Sequence, residues 1–115
     1  MKTPPEIVDD MLAPLIAEAQ VDDLGFWEFV RTARRVQPAA SEETIRQAVC
    51  DVIESAVSKN LLWSGWPPPT GGYQPWDRPI GELLDYIREQ WAALGRDPNP
   101  GDVMWFSRPL VAAAD

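Results

Sequence analysis

The sequence predicts a single α+β domain, mostly helical, with three helices, a β-hairpin, and then a further helix and short strand. Three observations lead there. Apolar side chains recur at helical spacing through residues 45–57, the mark of a helix with one buried stripe. Composition changes near residue 61, after which come eight of the twelve prolines and five of the six tryptophans, a mixture suited to short strands and turns. Finally, 115 residues with 45% apolar content suffice for one ordinary core, so residues 1–115 read as one unit.

The first helix is announced by Thr3-Pro4-Pro5-Glu6, in which Thr3 caps, Pro4 suits the first helical position and Glu6 completes a capping box. Ile7, Val8, Met11, Leu12, Leu15, Ile16 and Ala19 form its stripe, and Pro14 predicts a kink or break near Leu12–Ala13. A second helix is expected after Asp22 or Asp23 as cap, burying Phe26, Phe29, Val30, Ala33 and Val36 and stopping at Pro38. Ser41 caps the third helix, whose stripe is Ile45, Ala48, Val49, Val52, Ile53, Ala56 and Val57; Cys50 falls off that stripe. Asn60 tolerates the left-handed conformation at its end.

Residues 61–66 read as a strand, 67–72 as a loop and 73–76 as an edge strand, since Pro75 has no N–H for a central one. The fourth helix starts near Asp77–Pro79, buries Ile80, Leu83, Leu84, Ile87, Trp91 and Leu94, and stops at Gly95. Residues 103–106 make a last strand, and 111–115 a frayed tail.

The order of elements, with Ala48-Val49-Cys50-Asp51-Val52-Ile53-Glu54-Ser55-Ala56-Val57-Ser58-Lys59-Asn60-Leu61-Leu62-Trp63-Ser64-Gly65 as a long apolar helix running through a polar turn into a strand and glycine, resembles the winged-helix superfamily. The resemblance spans residues 5–77, and 78–110 would be a C-terminal extension. It implies a winged-helix-like unit, and in many members the third helix enters the DNA major groove. Here the outward face of that helix carries Glu42, Glu43, Asp51 and Glu54 against Arg46, which offers acceptors where phosphates and guanine edges need donors.

Charge and composition narrow the function. Net charge is −8 and residues 1–30 alone carry −6, a surface that repels polyanions and draws basic partners. With no histidine and one cysteine there is no imidazole catalysis, no intrachain disulfide and no Cys-rich zinc site. No basic-then-apolar leader and no long apolar run is present, so a cytoplasmic, non-membrane protein is expected. Asp97-Pro98-Asn99-Pro100-Gly101-Asp102 fails the calcium-loop pattern, because Gly101, Asp102 and Arg108 stand at its fifth, sixth and twelfth positions. That stretch reads as a turn braced by Asp102. The acidic pairs Asp9-Asp10, Asp22-Asp23 and Glu42-Glu43 sit at helix starts or on solvated faces, and no loop cradles phosphate.

No enzyme and no cofactor are therefore expected. The reading is an acidic protein-binding module for a basic partner, similar in size and charge to immunity or antitoxin-type proteins that cover a basic nuclease. Asp22, Asp23, Glu28 and Trp66 are its candidate contact residues. Trp63, Trp76, Trp91 and Trp105 are expected to pack a small second core between hairpin and fourth helix. The alternative is a winged-helix DNA-binding regulator using Arg31, Arg34, Arg35 and Arg46 on phosphates.

Overall fold

Local chemistry sets the helix starts. At the head of α1 (Pro4–Ala19) the Thr3 hydroxyl accepts from the Glu6 N–H at 3.3 Å while Glu6 Oε1 accepts from the Thr3 N–H at 2.8 Å. α1 runs through Pro14 without interruption, contrary to any expected break. Pro14 lies on the exposed side, and Met11, Leu12, Leu15 and Ala19 on either side of it are buried against one core. Burial of both halves outweighs the roughly 3 kcal/mol that an interior proline costs.

The computed structural model describes residues 3–66 and 74–109; the expected loop at 67–72, Tyr73 and the tail 111–115 lie outside them. After α1 come β1 (Leu24–Gly25), α2 (Phe26–Val36), α3 (Glu42–Ser58), β2 (Trp63–Trp66), β3 (Gln74–Pro75), α4 (Ile80–Leu94) and β4 (Trp105–Ser107). This is a mixed α+β fold dominated by its four helices, as expected.

Neither Asp22 nor Asp23 caps α2. Gly25 does, because Leu24 and Gly25 are drawn into a strand opposite Phe106 and Trp105, and the Phe26 N–H donates to the Met104 carbonyl at 3.0 Å. Glu28 reaches back one turn, its Oε2 accepting from the Gly25 N–H at 3.2 Å. Ser41 caps α3 by accepting from the Thr44 N–H at 3.2 Å, and Asn60 and Gly95 take the left-handed conformation after α3 and α4 with φ of 57° and 65°.

The sheet is antiparallel in the order β1-β4-β2-β3. Pro75 keeps β3 at the edge, as expected. The last strand in sequence is not an appendage, however: β4 sits between β1 and β2, its Phe106 fully buried with its ring 4.5 Å from that of Phe29. Every stripe residue of α3 except the half-buried Val57 is buried in the common core. Cys50 is buried too, because α4 packs along α3 and covers that flank.

Candidate functional site

The three acidic residues singled out in the sequence meet at one corner, where α1 hands over to β1 and α2. Asp22 is exposed, and its Oδ1 accepts from the Asp23 N–H at 2.8 Å. Asp23 is half-buried; burial raises its carboxyl above the usual value, and the charge of Asp22 raises it further. Glu28 behaves alike. Burial pushes its carboxyl up, the Gly25 N–H pulls it back, Glu18 and Asp22 push up, and Arg31 at 3.7 Å pulls down. Beside them Val21 is 83% exposed, an apolar side chain on an anionic corner. Asp22 and Asp23 have no cationic partner among the described residues.

The candidate arginines are mostly spoken for. Arg34 is held by two carboxylates at once: Nη1 and Nη2 donate to Glu42 at 2.8 and 2.9 Å, while Nε and Nη2 donate to Asp97 at 2.9 and 2.6 Å. These bonds raise its pKa further above an already high value, and they draw Glu42 below the usual carboxylate range. Arg31 lies over the Trp27 ring at 4.5 Å and near Glu28. Arg46 pairs with Glu43 at 3.3 Å. Arg35 alone of the four is exposed with no carboxylate partner among the described residues.

Trp66 lies elsewhere, two strands away from β1. It is half-buried in an aromatic cluster, 6.0 Å from Trp76 and 5.9 Å from Tyr86, and its Nε1–H donates to the Val103 carbonyl at 3.3 Å. The rings that cluster between hairpin and α4 are Trp66, Trp76 and Tyr86, half-buried against the common core, and not the separate second core expected from Trp63, Trp76, Trp91 and Trp105. Trp91 instead meets Phe26 edge-on at 5.2 Å, and Trp63 donates to Asn60 Oδ1 at 2.7 Å.

No family model, no curated protein and no solved structure matches the chain.

Among the described residues no group of three or more acidic or cysteine side chains could hold a metal ion. Asp102 is occupied in bracing its own loop, accepting from the Asn99 N–H at 2.8 Å and from Arg96 at 3.0 Å, which hold its carboxyl below the usual range. Burial raises the Cys50 thiol against the pull of Arg88, which disfavours the thiolate. No described helix is long and apolar enough to cross a membrane.

Sequence reasoning missed one feature. A groove of about 310 Å³ opens between the first turn of α1, the C-terminal end of α2 and the near flank of α3. Pro4, Ile7 and Ala48 supply apolar surface, and Glu43, Gln47 and Asp51 its polar rim. Its residues come from three helices, so no single stretch of chain announces it.

Proposed function

We propose that this chain is a non-enzymatic, acidic protein-binding module whose partner is basic, in the manner of immunity or antitoxin-type proteins that cover a basic nuclease. One observation carries the reading. Three of the four arginines that nucleic acid would need are engaged by carboxylates, while among the described residues Asp22 and Asp23 stand without a cation beside the exposed Val21. Releasing Arg34 to a phosphate would leave Glu42 and Asp97 facing a polyanion, adding repulsion to a chain of net charge −8. In this reading the winged-helix resemblance is a scaffold used for protein contact.

The test is direct. The full chain, immobilised in native lysate, should retain basic proteins that salt releases, and random duplex DNA should not bind at physiological salt. Micromolar duplex binding that persists at that salt, and is lost when Arg34 and Arg35 are reversed together, overturns the reading in favour of a DNA-binding regulator.

A further inference from the structure

The groove between α1 and α3 carries an inference of its own, resting on the reading of the chain as a module for a basic partner. Its apolar surface comes from Pro4, Ile7 and Ala48, and its volume of about 310 Å³ is at the low end for ligand sites. That is room for one or two side chains and not for a large cofactor. Among the described residues, the charged ones lining it are Glu43 and Asp51. There Glu43 has an exposed contact to Arg46 and Asp51 accepts the amide of Gln47 at 2.8 Å, so an arriving cation displaces little. Gln37, at the C-terminal end of α2, also lines the groove.

We propose that this groove seats the partner's contact segment. An aliphatic side chain enters between Pro4, Ile7 and Ala48, and a flanking lysine or arginine lies against Glu43 and Asp51. A second copy of this chain is the wrong occupant, since it would bring a net charge of −8 against two carboxylates.

A displayed library of random short peptides, panned on the full chain, tests this. Enriched sequences should place a lysine or arginine within a few residues of a leucine, isoleucine or valine. The best of them, as a free peptide, should bind at least about tenfold more weakly to Gln47→Trp, which closes the groove from its exposed rim. Should Gln47→Trp disturb folding, Thr44→Trp blocks the same rim. Glu43→Gln with Asp51→Asn should weaken binding and flatten its salt dependence, while Glu82→Gln with Glu89→Gln, which removes as much charge from exposed positions of α4 outside the groove, leaves it unchanged. Peptides indifferent to both rim substitutions but weakened at Asp22 and Asp23 overturn the groove and leave the basic-partner reading standing. Enrichment of neutral or acidic peptides, or no enrichment, overturns the groove as well.

Discussion

Arg34 and Asp97 lie sixty-three residues apart in the chain, yet their side chains meet through two hydrogen bonds of 2.9 and 2.6 Å. The same guanidinium takes Glu42 on its other side, so one side chain ties α2 to the start of α3 and to the loop after α4. Planar forks of this kind bind carboxylates in a fixed geometry that an ammonium cannot copy. A double-mutant cycle on Arg34 and Asp97 should give a coupling of about 0.5–1 kcal/mol, kept low because both side chains are partly solvated and salt screens them. Arg34→Lys should recover less than half of the loss. A coupling of zero in urea melts would reduce the contact to a surface accident.

The α3 stripe should dominate stability. Ile53 is fully buried at the centre of the core, and Ile53→Ala should cost ~2–5 kcal/mol through lost transfer energy and a residual cavity. Urea denaturation checks this, and a loss below about 0.5 kcal/mol is incompatible with a closely packed site.

Gly25 is required by its neighbour. A Cβ at that position would meet Trp27 Cδ1 at 2.5 Å and Nε1 at 2.7 Å. Gly25→Ala must therefore displace the indole on which Arg31 stacks, at a cost of ~1–3 kcal/mol. Tryptophan fluorescence should shift with the loss of stability; a variant as stable as the parent would mean that Trp27 repacks freely.

Glu28 gives a pH dependence of known sign. Its folded carboxyl lies above the ordinary 4.5, first through burial, so the folded state binds the proton more tightly than the unfolded one. The contribution is favourable below that ordinary value and is lost as pH rises through the higher folded value. Glu28→Gln keeps an oxygen for the Gly25 N–H and removes the buried charge. It should be at least as stable as the parent at pH 7, with a flatter profile across that window. Glu28→Ala leaves the Gly25 N–H unpaired and should lose about 1 kcal/mol. If Glu28→Gln instead destabilised as much as Glu28→Ala, the charge itself would be what the cap requires.

Once a basic partner is in hand, the acidic corner should act on the rate of encounter. Replacing Asp22, Asp23 and Glu28 by their amides should slow association and flatten its salt dependence, with a smaller effect on dissociation. Stopped-flow mixing at several ionic strengths measures this. An unchanged association rate would confine Glu28 to its cap and Asp22 and Asp23 to solvation.

The sequence by itself determined the four helices and most of their ends. Thr3, Ser41, Asn60 and Gly95 act through neighbours within a turn or so, and the α3 stripe follows from a period that any single core imposes. It also determined the net charge and the absence of imidazole chemistry. Tertiary structure decided the rest. Leu24 and Gly25 are too short a stretch to show a period, and they become a strand because Trp105 and Phe106, some eighty positions on, supply the ladder. That pairing takes the cap of α2 away from Asp22 and Asp23. Likewise Cys50 is buried because α4 covers it, Trp66 is turned inward by Trp76 and Tyr86, and the groove exists because Pro4, Gln37 and Ala48 converge. Helix signals are local because their hydrogen bonds span four residues, whereas strand order and surface clefts depend on contacts that chain distance does not encode.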